Sequence, residues 1–317
     1  MPLIGEAGTS GGKVLEVTVD ALRAILGSPP VPEGSWEREA VYVSAAALRR
    51  AGPARQVAEA PAGGPARKIA ERPAGGSARE IAEGLAVRLR AVPGVRAVQV
   101  RPNGFLVIEV AVPGEVVREI LAEPVTPAEV PVPAGAAPWP EAPLTWSNPG
   151  FVVRYAYVRA GAVQRWARDL GIEAGPQGVS GQGKGGPEER RGEPEAGAGF
   201  RPESLDDPRD RAVLRVLAEL PSRRAGRDAG RSGRYLSCGG GSRASGGGAP
   251  GREPGWPAYL ERLAESYHDA FEHAPASPKG DEPPTGTHVA RLWMARAVRR
   301  VLGEGLTALG QAPPVKI

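Results

Sequence analysis

Catalysis rests on a few polar side chains at fixed spacing, and this chain offers few of them. It has three histidines, His268, His273 and His288, and one cysteine, Cys238. His268 and His273 stand at i and i+5, so on a helix they do not share a face and do not make a zinc pair. A single cysteine allows no internal disulfide and no cysteine-based zinc site. Cys238 lies in SCGGGSRASGGG, a run that gives a thiol nucleophile no rigid scaffold. The chain has no Gly-x4-Gly-Lys-Ser/Thr, and no strand and helix flank that glycine run, so it reads as a linker and not a phosphate loop. These residues predict no catalytic group, no metal site and no cofactor.

Arginines and aromatic residues are the side chains with helical spacing. At 100° per residue, Phe151, Tyr155, Val158, Ala162, Trp166 and Leu170 form one apolar stripe, expected to face a core. Arg159 falls beside it, with its stem packed and its head met by a carboxylate or a helix end. On the opposite flank lie Arg154, Tyr157, Arg165 and Arg168. A basic row with one aromatic suits RNA phosphates plus a stacked base, and a solvated face is the plain alternative. In 287–309 the expected buried stripe is Met294, Val298, Val301, Leu302 and Leu309. Trp293, Arg296 and Arg300, at i, i+3 and i+7, lie away from it. A tryptophan flanked by arginines is a candidate for base stacking, and packing on a neighbouring element is the alternative. The segment 257–273 buries Leu260, Leu263, Ala264, Tyr267 and Phe271, with His268 on the flank. The first two segments carry net charges of +3 and (to residue 317) +4, and the third carries −3, so charge is sided.

These helices belong to a chain of 317 residues, long enough for roughly two domains. Glycine (44) and proline (34) are enriched and unevenly spread, so ordered parts must alternate with loose ones. The net charge of +4 and pI of about 9.4 permit nucleic-acid binding without requiring it. No secretory signal and no run of ~18 apolar residues is found, which predicts a cytoplasmic protein off the membrane.

Residues 14–26 and 36–51 read as helix or helix–strand mixtures. ARQVAEAPAGGP, ARKIAERPAGGS and AREIAEG, starting at 54, 66 and 78, form a twelve-residue repeat. Each copy breaks at Pro-Ala-Gly-Gly, and only the last runs on into a helix, opened by the capping box Ser77-x-x-Glu80. Alternation over 95–112 around Asn103-Gly104 predicts a hairpin, and a short helix over 115–122 follows. The chain therefore divides into an α+β domain over 1–122 and a Pro/Ala-rich, extended linker over 123–147. An all-α helical bundle over 148–317 completes it, with insertions 174–200 and 222–255 expected to be disordered.

NPGFVVRYAYVRAGAVQRWARDLGI, 148–172, resembles the first helix of the DALR-type anticodon-binding domain of arginyl-tRNA synthetases. The matching positions are Asn148, Pro149, Val153, Tyr155, Ala156 and Arg159, with Arg154 and Tyr157 standing where that family has Gln and His. YLERLAESYHDAFEHAP (259–275) and ARLWMARAVRRVLGEGLTALGQAPP (290–314) continue the match in the same order. AREIAEGLAVRLRAVPGVRAVQVRPNGFLVIEV, 78–110, resembles the additional N-terminal domain of the same enzymes. There the resemblance implies RNA contacts from Asn103 and Phe105. Val107 departs from it, because the family places Asn or Gln there to contact the tRNA D-loop. Asp20-Ala-Leu-Arg23, the tetrapeptide that names the anticodon-binding fold, lies far from its usual place and reads as coincidence.

The resemblance implies tRNA as partner, the arginine-accepting species first. It also leaves room for a synthetase partner. The family's aminoacylating core requires a His-x-Gly-His turn and a Lys-Met-Ser-Lys-type loop, which stabilise the adenylation transition state with charge and hydrogen bonds. Neither occurs, and only 123–147 stands where that core would lie. The expectation is a non-catalytic tRNA-binding protein. The alternatives are a docking subunit for a separate arginine–tRNA ligase chain and a decayed remnant that binds little RNA.

Overall fold

The computed structural model describes residues 19–52, 77–124, 138–172, 199–225 and 255–316. The first two repeat copies, Cys238 and most of both insertions lie outside them.

The first part runs α1 (Val19–Leu26), β1 (Val31–Glu33), β2 (Ala40–Ser44), α2 (Ala46–Ala51), α3 (Ala78–Arg90), β3 (Val95–Val100), β4 (Leu106–Val110) and α4 (Glu115–Ala122). Its sheet is antiparallel, in the order β1-β2-β4-β3. Alternation puts Tyr42, Leu106, Ile108 and Val110 into the core, and Val41, Val43 and Val107 on the other face. Ser77 and Glu80 close the predicted capping box on α3. In the hairpin, Gly104 takes φ +83° and its N–H donates to Arg101 O. A Cβ there would lie 3.1 Å from that of Ala78, so conformation and space both favour glycine. The segment 36–51 resolves into strand β2 and then helix α2. Strand β1, only three residues with a proline inside, was not anticipated.

The second part contains α5 (Pro149–Asp169), a 3-10 turn (Pro202–Ser204), α6 (Pro208–Leu217), helical residues 220–225 (α7), α8 (Trp256–His273) and α9 (Gly286–Ala308). Residues 222–225, expected within a loose insertion, are therefore helical. Asn148 caps α5 by accepting from Gly150 and Phe151 N–H, with Pro149 in the first turn.

The stripe expected to bury α5 does not do so. The buried face is Val152, Val153, Ala156, Ala160, Gly161, Val163 and Ala167, while Trp166 is 49% exposed and Leu170 59%. Small residues win the contact because they let α5 lie close against α8 and α9, where rings would hold the helices apart. On α9, Met294, Val298, Val301 and Leu302 are buried as the spacing predicts.

The two parts are packed together. One cluster of buried apolar residues runs from Leu22 and Ile108 through Val117 and Val153 to Leu302. Arginines of the helical part bond to backbone carbonyls of the other. Arg215 Nε reaches Gly34 O at 2.8 Å, Arg211 Nη1 reaches Arg38 O at 3.1 Å, and Arg300 Nη2 reaches Glu123 O at 2.6 Å. Arg215 Nη2 also reaches Pro32 O, at 3.3 Å, and so covers an otherwise open edge of β1. At its described end the expected extended linker is docked. Trp139 is buried against Gly150 and donates its indole N–H to Glu261, and Asn148 Nδ2 bonds Pro140 O and Pro143 O.

Candidate nucleic-acid interface

Most arginines of the helical part are spoken for. Glu219, 7% exposed, accepts from Arg215, Arg223 and Arg262. Burial pushes its carboxyl up, but the three hydrogen bonds outweigh it and hold the pKa at about 2. Arg291 pairs with the fully buried Asp210 at 2.9 Å. Burial outweighs that pairing and leaves Asp210 at about 6. Arg224 bridges Glu123 and Glu304.

Arg159 is held from every side. Its Nη1 lies 3.0 Å from Glu272 Oε1 and 3.1 Å from His268 Nδ1. An arginine only donates, so Nδ1 accepts and the ring's proton sits on Nε2, donated to Val152 O at 3.0 Å. Burial, and then the charge of Arg159, act to keep His268 below its ordinary pKa, against the bond to Val152. The guanidinium also covers Tyr155 and Phe271, at 4.6 and 4.4 Å from the ring centroids. Trp146, 57% exposed, meets Phe151, Tyr155 and His268 edge-on. Phe151 and Tyr155 of this aromatic cluster come from the stripe that was expected to be core.

Among the described residues, Arg154, Arg165 and Arg168 of α5 carry no ion pair, and neither does Arg299 of α9, which the sequence reading did not single out. Arg154 has a long bond to Glu141 O, at 3.5 Å, and Arg168 bonds within its own helix to Gln164 O. The helices approach at Gly161, where a Cβ would lie 3.3 Å from Arg299 and 3.5 Å from Arg165. Glycine here lets the two guanidinium groups share one ridge. Tyr157 belongs to the same ridge, but Arg299 covers its ring at 5.0 Å and Gly303 lies against its edge.

The other predicted residues fall elsewhere. Trp293 stacks on Phe200, centroids 5.2 Å apart, so a residue from the end of the expected insertion holds the place proposed for a base. Arg296 lies over the Trp293 ring and Arg118 over Phe200. Arg300 is only 13% exposed and binds Leu121 O, Glu123 O and Glu304, so it is part of the junction between the two parts. Asn103 accepts from Phe105 N–H within the β3–β4 hairpin, and Phe105 is half-buried. Among the described residues no group of acidic, histidine or cysteine side chains could hold a metal, and no helix is long and apolar enough to cross a membrane.

Among known proteins, the chain is similar in sequence to an arginyl-tRNA synthetase. One such relative is arginine–tRNA ligase of Clavibacter sepedonicus, 30% identical over 174 residues, or 55% of this chain and 24% of the relative. The chain thus spans about a quarter of the length of this curated relative. No family model matches it, and no solved structure does.

Proposed function

We propose that the chain is a non-catalytic tRNA-binding protein of arginyl-tRNA synthetase ancestry, which holds the anticodon arm of a tRNA on the ridge formed by α5 and α9. The observation that carries this is the contrast among arginines. Arg159, Arg215, Arg262 and Arg291 are neutralised by carboxylates. Arg154, Arg165, Arg168 and Arg299 meet no carboxylate among the described residues and share one ridge, where phosphates would neutralise them.

The non-catalytic part rests on the sequence, which has neither of the family's two adenylation motifs, and on the direct packing of α4 against α9. A second reading, a docking subunit for a separate catalytic chain, is favoured by the exposed Trp166 and Leu170, which suit a protein neighbour.

Two measurements test the proposal. ATP–pyrophosphate exchange with the purified chain, arginine and tRNA should stay at the no-enzyme level, and exchange above it refutes the non-catalytic reading. Affinity for tRNA should fall with salt with a log–log slope of about −3, as four phosphate contacts imply. An affinity indifferent to salt would remove the ridge from the account.

A further inference from the structure

We infer that the ridge recognises the phosphate backbone of a base-paired RNA stem and takes no unpaired base. The inference rests on the RNA-binding reading and narrows its ligand.

Binding an unpaired strand needs free aromatic faces, because stacking supplies about 1–3 kcal/mol per base. Both aromatic residues near the ridge are already covered. Tyr157 lies under Arg299 with Gly303 at its edge, and Trp293 is stacked on Phe200 and also carries Arg296 over its ring. Among the described residues, the exposed rings, Trp146 and Trp166, stand on the other flank of α5. That flank adjoins α8, whose Glu265, Asp269 and Glu272 are exposed. Trp146 touches His268 and lies 5.8 Å from the Arg159 guanidinium that Glu272 pairs with, and Trp166 lies against Phe271, the residue before Glu272. Phosphates would meet repulsion there, so the exposed rings and the unpaired arginines cannot serve one strand.

What remains on the ridge is a row of guanidinium groups on a rigid helix. Arg154, Arg165 and Arg168 fall within about 60° of one another around α5 and span about 21 Å along it. Arg299 adds a fourth group from α9. Fixed charges without stacking surfaces suit a backbone that is itself rigid, as in a double-stranded stem read by shape and phosphate position.

The test uses the full chain and four RNAs: an intact arginine-accepting tRNA, a stem closed by a stable tetraloop, the same stem with an all-uridine loop, and an unstructured strand of equal length. Both stem-loops should bind alike, and the strand at least tenfold more weakly. Arg165→Ala and Arg299→Ala should each weaken both stem-loops equally and flatten the salt slope by about 1. Trp146→Ala should change nothing. Circular dichroism on each variant separates a binding loss from a folding loss. An affinity that follows the loop sequence, equal binding of the strand, or a loss on Trp146→Ala would overturn the inference while leaving RNA binding intact. Failure of every RNA, the tRNA included, would overturn the RNA-binding reading itself.

Discussion

Trp293 and Phe200 illustrate how one contact redirects a residue. Their rings lie 5.2 Å apart and 25° from parallel, with Arg296 over the Trp293 ring and Arg118 over that of Phe200. Each ring is half-buried, so Trp293→Ala should cost roughly 2 kcal/mol of folding stability, less than a fully buried ring. Because the two rings share one contact, the double variant with Phe200→Ala should cost less than the sum, with a coupling of about 0.5–1.5 kcal/mol. Chemical denaturation of the four proteins measures it, and strict additivity would mean that the stack contributes nothing. Glu219 makes a second residue-scale case. Its folded pKa of about 2 lies below the ordinary 4.5, so it contributes stability above pH 4.5, lost as pH falls through about 2. Glu219→Gln should therefore be less stable than the wild type at pH 7 by a few kcal/mol. The difference should shrink in a denaturation series taken down to pH 2.

At the scale of elements, α4 shows how a helix end sets the approach of its neighbour. Gly114 precedes it, and a Cβ there would lie 2.2 Å from the carbonyl oxygen of Pro202. That atom is backbone and cannot rotate away, so Gly114→Ala should cost about 1–3 kcal/mol or more, read as a lowered Tm. Glu115, the first residue of α4, is 3% exposed, bonds Arg118 through one oxygen, and has no partner for the other. Burial, then the charges of Glu119 and Glu203, raise its pKa to about 7. For an acid raised in the folded state, the neutral form is favoured by folding. Stability therefore declines as pH rises from 4.5 through 7. Glu115→Gln should match the wild type near pH 5 and exceed it by about 1–3 kcal/mol at pH 8. Equal pH profiles for the two proteins would show that Glu115 does not titrate in this range.

Across the whole molecule, the sheet and the helices share one core and a set of arginine-to-carbonyl bonds. Arg300 joins α9 to the end of α4, while Arg211 and Arg215 join α6 to the segment from β1 to β2. A shared core should make both parts unfold together. Calorimetry of the wild type should give a single transition, with sheet and helix signals lost at one temperature. Arg300→Ala leaves two carbonyls without this donor and should lower that temperature. Two well-separated transitions in the wild type would show that the junction is weak.

The sequence by itself determined the local features. The Ser77–Glu80 capping box, the hairpin at Asn103-Gly104 and the buried stripe of α9 were legible because each depends on residues close together in the chain. The relation to arginyl-tRNA synthetases was legible too, since the motifs that carry it are runs of sequence. The face of α5 was not. Hydrophobic periodicity favours the stripe with the largest side chains, and only the neighbouring helices decide that small residues give the closer contact. Arginine roles were hidden for the same reason. Arg300 and Arg168 look alike along a helix, but one meets carbonyls at the end of α4 and the other only a carbonyl of its own helix. For Arg224, Arg291 and Arg300 the partners include carboxylates and a carbonyl 80, 81 and 177 residues away in the chain, and only tertiary packing brings those together.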